Sequence, residues 1–355
     1  MAADHILTLA QSFRGGGVER AMLRLAGGWA AAGRRVTLLV GDRAGPLAAE
    51  VPPGIELRVL GDPGYRHLAM AVRRAGMDLR PDVLFCPGTH YTSAAALARL
   101  GRGGAGVPVV AKISNTLDRT DLGWAARQAN RAWMRLQPRW IDRFVAMTEA
   151  SARDARHWLG VAPERVSVIA NPPARPIAGA VLPPLPEAGF ILGVGRLEPQ
   201  KRWDRLIAAV PRLADPSAEL VILGEGSLRA ALEEQVAALG LGGRVRLPGH
   251  VADPSPAFAS AAVLALTSDF EGVPGVLREA LAAGTPVVTT DSSVAIPEIV
   301  AVPALGSIVP RGDGAALVAA LDRWLVPDAV RPAPVAPPGA DAVAEYLALF
   351  DALAR

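Results

Sequence analysis

The chain of 355 residues carries a formal net charge of +3, with 51% hydrophobic, 20% charged and 5% aromatic side chains. That length exceeds what one core comfortably fills and excludes a mini-protein, while the apolar content excludes global disorder. The lone cysteine, Cys86, excludes an intrachain disulfide and reads as a small buried hydrophobe in a reducing compartment, and no Cys/His cluster offers zinc-ligand spacing.

The opening MAADHILTLAQSF sets a charged Asp4 before an apolar run of strand length, so no secretory signal is expected and the mature chain is expected to begin here. No run of about 18 apolar residues occurs, which limits membrane contact to the periphery. The run HILTLA, a loop holding Gly15, Gly16 and Gly17, the helical stretch VERAMLRLAGGWAAAG and then RVTLLVG set a strand–helix–strand rhythm, the signature of parallel strands with helical crossovers. Further strands are expected at 82–86, 107–114, 143–148 and 166–170. Asn171 to Pro186 is dense in proline and reads as an interdomain linker. Beyond it FILGVGRL, AELVILGEG, RVRLPGH, AAVLALTS and TPVVTTD repeat the logic, and after a second proline-rich stretch (326–339) a last amphipathic helix is expected from about Ala340 to Leu353. Two doubly wound α/β halves joined by a linker is the economical reading, with ligands bound beyond the carboxyl ends of the strands. No repeat of solenoid period is visible.

Charge is uneven along the chain. Up to Asn171 there are 23 basic and 14 acidic side chains, net +9; from Pro172 onward there are 14 and 20, net −6. The first half is therefore expected to meet an anionic partner, a phosphorylated substrate, a membrane or a nucleic acid. No nucleic-acid motif accompanies the charge, so nucleic acid is not expected.

Two segments carry chemistry. In GVGRLEPQKRWDRLI, Arg196 and Lys201 flank a turn between a strand and a helix, where two cations can clamp a diphosphate, Arg through its planar fork and Lys as a mobile point charge. A solvated basic loop would read the same way. Lys201 is one of only two lysines, with Lys112, against 35 arginines. In VLALTSDFEGVPGVLREALAAGTPVVTTD, a strand ends in Glu271, Gly272, Val273, Pro274 and Gly275, and a helix carrying Glu279 follows. Pro and Gly let amides at the helix start face a ligand, and the two carboxylates suit sugar or ribose hydroxyls. Complementing the helix dipole is the other reading, which fits Glu279, inside the helix, poorly.

The pairing of G-R-L-x-x-x-K with E-G-x-P-x-x-x-x-E-A-L-A-x-G-x-P-V-V, about 70 residues apart and each after a strand, resembles the retaining glycosyltransferases of the GT-B fold, family four. GGGVERAMLRLA and VSVIANPP also have family counterparts, so the resemblance covers almost the whole chain. It implies an α/β fold of two Rossmann-like doubly wound parallel-sheet domains facing across a cleft. Residues 1–171 would form an acceptor-side domain, 172–188 the linker and 189–325 the nucleotide-sugar domain. Residues 326–355 would supply a segment and helix packing back on the first domain.

Carried over residue by residue, the resemblance implies that Arg196 and Lys201 bind the donor diphosphate, that Glu279 holds the ribose and that Glu271 contacts the donor sugar, helped by Gly272 to Gly275. Gly16 and Gly17 would approach the phosphates. Gly195, Gly224, His250 and Val251 would line the donor site, the last two over the base. The family often places a histidine after the strand that here reads VPVVAKIS; this chain has Ser114 and Asn115 there. His90, after the strand DVLFC, reads equally as a histidine reaching the same region or as a hydrogen-bonded loop or helix-cap histidine, whereas His5, His67 and His157 read as structural. No Asp-x-Asp pair occurs, so no cofactor and no obligatory metal are expected, the cations doing that electrostatic work.

On the acceptor side, Arg127, Arg131 and Arg135 recur every four residues and interleave with Trp124, Trp133 and Trp140, a pattern that fits an anionic bilayer or a lipid-linked phosphate, or a solvated face with core tryptophans behind it. The expected activity is sugar transfer from a nucleotide diphosphate sugar, UDP first and GDP next, to a glycan or lipid-linked hydroxyl, in the cytoplasm or at the inner face of its membrane. A nucleotide-sugar epimerase or hydrolase, or a catalytically silent glycan- or lipid-binding protein, are the rival readings.

Overall fold

The computed structural model describes residues 2–14, 16–99, 106–118, 122–177, 179, 181–187, 189–326 and 329–354, which form two units, 1–172 with 338–355 and 173–337. Gly15 of the glycine loop lies outside the described residues.

The first unit runs β1 (His5–Ser12), α1 (Gly17–Ala31), β2 (Arg35–Asp42), β3 (Ile55–Val59), α2 (Tyr65–Leu79), β4 (Val83–Cys86), α3 (Thr92–Arg99), β5 (Val109–Lys112), α4 (Trp124–Leu136), β6 (Arg143–Ala146), α5 (Glu149–Leu159) and β7 (Val166–Val168). All seven strands are parallel, in the order β3-β2-β1-β4-β5-β6-β7. β1, β4 and β5 are almost wholly buried because helices cover both their faces. β3 and, in the second unit, Gly306–Val309 are strands that the sequence reading passed over: IELRV alternates, lies at the sheet edge and keeps all its residues at least partly exposed.

The second unit runs β8 (Ile191–Val194), α6 (Trp203–Ala209), β9 (Leu220–Leu223), α7 (Arg229–Ala238), β10 (Val245–Gly249), α8 (Ser255–Ser260), β11 (Val263–Leu266), α9 (Gly275–Ala282), β12 (Val287–Thr290), α10 (Ile296–Ile299), β13 (Gly306–Val309) and α11 (Gly314–Leu325). Its parallel sheet is ordered β10-β9-β8-β11-β12-β13. In each sheet the chain winds outward from the first strand, then restarts on its other side. The switch points therefore fall between β1 and β4 and between β8 and β11, where the loops at the carboxyl ends diverge and leave room for a ligand.

The last helix, α12 (Ala342–Leu353), belongs to the first unit. Phe350 and Tyr346 pack edge-on against Trp29, with centroids 5.1 and 5.8 Å away, and Asp351 accepts from the Ala3 amide and pairs with Arg34. Val343 sits so close to Gly28 that a Cβ there would collide with it. The proline-rich stretches are straps rather than free spacers. Leu182 and Leu185 rest on the second core, Ile177 N–H donates to Asp253, and Arg331 reaches the carbonyls of Ala261 and Gly284.

Candidate functional site

At the switch point of the second unit, the loop after β8 and the loop after β11 are stitched together. Thr267 Oγ1 lies 3.1 and 2.9 Å from the carbonyl oxygens of Lys201 and Arg202, the Asp269 amide donates to Gln200 O, and Gln200 Nε2 donates back to Phe270 O. Asp269 also receives Arg202 and Arg205 at 3.2 and 2.5 Å. These bonds hold Arg202 in the left-handed region at φ 51°, which turns the chain from the one-turn Pro199–Lys201 helix into α6. Trp203, buried beneath Gly193, donates its indole N–H to Arg196 O and fixes the other end of the loop.

Within this frame Lys201 and Glu271, 70 residues apart, form an ion pair: Nζ lies 2.6 Å from Oε1, and the side chains are only 15% and 9% exposed. Sequence reasoning assigned Lys201 to phosphate and Glu271 to sugar; the structure joins them to each other. Ser268, which it did not single out, donates from Oγ to the same Oε1 at 2.6 Å. Arg196 is exposed. Gly195 and Gly224 meet so closely that a Cβ on Gly224 would collide with the Gly195 carbonyl, and one on Gly195 would press on Lys201 and Trp203. Gly272, Val273, Pro274 and Gly275 lead into α9; the Gly272 carbonyl is held by the Ser293 hydroxyl, and the Glu271 amide donates to Ser292 O. Glu279 is half-buried, one turn into α9. His250 is exposed after β10, facing Glu225, and Val251 is half-buried against the core.

In the first unit, Gly16 caps α1, and its Cα lies so close to the Glu19 carboxylate that a Cβ would collide; Gly17 stands in open space. Glu19 accepts from the buried Tyr91 hydroxyl at 3.0 Å, and that oxygen accepts from the Gln11 amide. Burial, then the Glu19 charge, push the Tyr91 phenol up. His90 is half-exposed, its ring 3.8 Å from that of Tyr91 and its Nε2 3.9 Å from Glu19 Oε1. Asn115 caps its own turn, accepting from the Thr116 amide, while Ser114 and Thr89 exchange hydroxyl–amide bonds that tie the loops after β4 and β5. Lys112 is fully buried, donates to Asn171, and has its ammonium pulled down to about 8 by desolvation, against the Glu19 charge.

The arginines of α4 fall on one face, and each is engaged within its unit. Arg127 forks onto Asp118, Arg131 lies 4.9 Å over the Trp158 ring, and Arg135 donates to His157 O. The tryptophans differ: Trp124 is 78% exposed, whereas Trp133 packs at the margin of the core and stacks on the half-buried Trp140 at 5.9 Å. Among the described residues no helix is long and apolar enough to cross a membrane.

Comparison with known proteins divides the chain in the same way. A family model described as glycosyl transferases group 1 matches residues 189–326, and one described as Glycosyltransferase Family 4 matches residues 15–172. A lipopolysaccharide core biosynthesis glycosyltransferase of Rhizobium meliloti is 38% identical over 106 residues, 30% of this chain and 31% of the relative. An N-acetylgalactosaminyltransferase of Campylobacter jejuni, named for a diacetylbacillosaminyl-diphospho-undecaprenol substrate, is 35% identical over 144 residues, 41% of this chain and 39% of the relative. The chain thus spans well under half the length of these curated relatives. Anabaena HepE, solved with UDP and glucose, superposes with a TM-score of 0.71 at 21% identity over 98% of this chain and 97% of that one, a likeness of fold.

Proposed function

Since the chain belongs to the group 1 glycosyltransferases of family four, with the two-domain GT-B fold, we propose that it moves a sugar from a nucleotide diphosphate sugar to a hydroxyl of a glycan or lipid-linked acceptor. One observation carries this reading: Lys201, from the loop after β8, and Glu271, from the segment after β11, meet at the switch point of the second sheet. A UDP-sugar is the favoured donor, supported by the UDP complexes of Anabaena HepE, with a GDP-sugar next. A lipid-linked acceptor is supported by the name of the Campylobacter relative.

In this account Arg196 and Lys201 hold the diphosphate, Glu279 the ribose hydroxyls and Glu271 the sugar, while the N–H groups of Gly272, Val273 and Gly275 face its polar groups and Pro274 shapes the turn. His250 and Val251 border the base; Gly16 and Gly17 let backbone approach the phosphates. The bond from the anomeric carbon to the phosphate oxygen breaks, and the acceptor oxygen bonds to the same face of the sugar. The acceptor's proton passes to the departing phosphate oxygen, whose growing charge is stabilised by the preorganised cations. Those cations also make the reaction independent of divalent metal, so EDTA leaves turnover unchanged. His90 and Asn115 lie at the switch point of the first unit, on the acceptor side. Exposed Trp124 and Arg131, two turns apart on α4, support peripheral contact with an anionic membrane at its cytoplasmic face.

A screen of nucleotide sugars against glycan and polyprenyl-diphosphate-sugar acceptors, read by mass spectrometry, tests the reading. A product heavier than the acceptor by one sugar residue supports it; stabilisation by no nucleoside diphosphate and no product with any pair favours the silent binding protein. Release of free sugar or of an isomerised nucleotide sugar in place of transfer favours the hydrolase or epimerase.

A further inference from the structure

Among the described residues, both hydrogen bonds to the Glu271 carboxylate land on one oxygen: Oε1 takes Lys201 Nζ and Ser268 Oγ, each at 2.6 Å. The two donors differ in what a diphosphate does to them. Lys201 is a mobile cation whose charge is drawn to an arriving anion, so its hold on Glu271 weakens as the donor binds. Ser268 is neutral, fully buried and unable to follow. Its backbone is also fixed, since its carbonyl accepts from Thr290 Oγ1 at 2.6 Å and its neighbour Thr267 clasps the carbonyls of Lys201 and Arg202. Glu271 is anchored three residues on through its amide to Ser292 O. With the main chain and Oε1 both held, Oε2 accepts no hydrogen bond from the described residues.

Resting on the donor-site reading above, we propose that Ser268 is a positioning residue for sugar recognition: its hydroxyl keeps Glu271 aimed at the donor sugar while Lys201 turns to the diphosphate. Without it the carboxylate follows the lysine, and the sugar loses its partner although the nucleotide does not.

Calorimetric titration of the full chain compares UDP with UDP-glucose, UDP-galactose, UDP-N-acetylglucosamine and UDP-N-acetylgalactosamine, using for each variant the sugar that adds most affinity over UDP in the wild type. Ser268→Ala is expected to bind UDP within about twofold of the wild type and to lose the added affinity of the sugar by about tenfold or more, the effect of one hydrogen bond to a charged group. In a Glu271→Gln background the same substitution is expected to change sugar affinity by less than about twofold, because the group it positions is already altered. Melting curves followed by circular dichroism confirm that each variant is folded at the titration temperature. Equal losses for UDP and UDP-sugar, equal effects of Ser268→Ala in both backgrounds, no loss at all, or no sugar increment in the wild type would each overturn the proposal. Absence of binding of both UDP and GDP by the wild type would instead overturn the donor-site reading, and this inference with it.

Discussion

Replacing Lys201 by Met separates the resting role of this lysine from its role in turnover. Met keeps most of the aliphatic stem but leaves Glu271 as a carboxylate 9% exposed with only the Ser268 hydroxyl to hold it. Removing one partner of a buried ion pair costs about 3–5 kcal/mol, and the surviving hydrogen bond and residual exposure place this case near about 3. For a unit of this size that lowers the melting temperature by roughly 6–12 °C. Adding Glu271→Gln removes the stranded charge, so the double variant is expected to recover most of the lost stability. Turnover does not recover: loss of a preorganised cation on the leaving phosphate costs on the order of 10²–10³-fold in rate, in the single and double variants alike. Thermal melts of the three proteins, with product formation measured beside them, read both effects. A single variant as stable as the wild type would refute the pairing, and a double variant that regains turnover would refute the catalytic role.

Gly224→Ala drives a methyl group into the Gly195 carbonyl, where no flexible side chain can give way, and is expected to cost about 1–3 kcal/mol in stability and at least tenfold in UDP affinity, read by melting and calorimetry. Lys112 has a folded pKa near 8 against an ordinary 10.5, so between those values the unfolded chain binds more protons than the folded one and stability rises with pH. The unfolding free energy of the wild type relative to Lys112→Met is therefore expected to grow by on the order of 2 kcal/mol between pH 7.5 and 10.5, measured by urea unfolding; a flat difference contradicts the buried cation. Trp124→Ser with Arg131→Gln is expected to reduce co-sedimentation with vesicles containing anionic phospholipid, and undiminished pelleting would remove the membrane contact.

The two sheets were legible because their central strands are continuous apolar runs separated by helices of opposite periodicity; HILTLA and VLAL admit little else. The edges were not. IELRV alternates as a half-solvated strand does, and GSIV at β13 is four residues long with two of them partly or fully exposed. In the second unit Lys201 and Glu271, named from two separate motifs, do meet, since each motif follows a strand at the switch point. The Lys201–Glu271 pair was hidden because each residue was read for a ligand, and proximity across 70 residues has no local signal. Ser268 looked like any loop serine. The α4 arginines show the same limit: their common face follows from four-residue spacing, but the partners Asp118, Trp158 and His157 come from other segments. Glu19 and Tyr91, joined across 72 residues, stood in no motif other than the glycine loop.

Titration of UDP into the full chain, the Lys201→Met variant and the Glu279→Gln variant tests the donor site most directly. Saturable binding at one site in the wild type, weakened at least about tenfold in each variant as loss of a charge-assisted contact requires, is the expected result. No saturable heat in the wild type with UDP or with GDP, or one affinity shared by all three proteins, would contradict it.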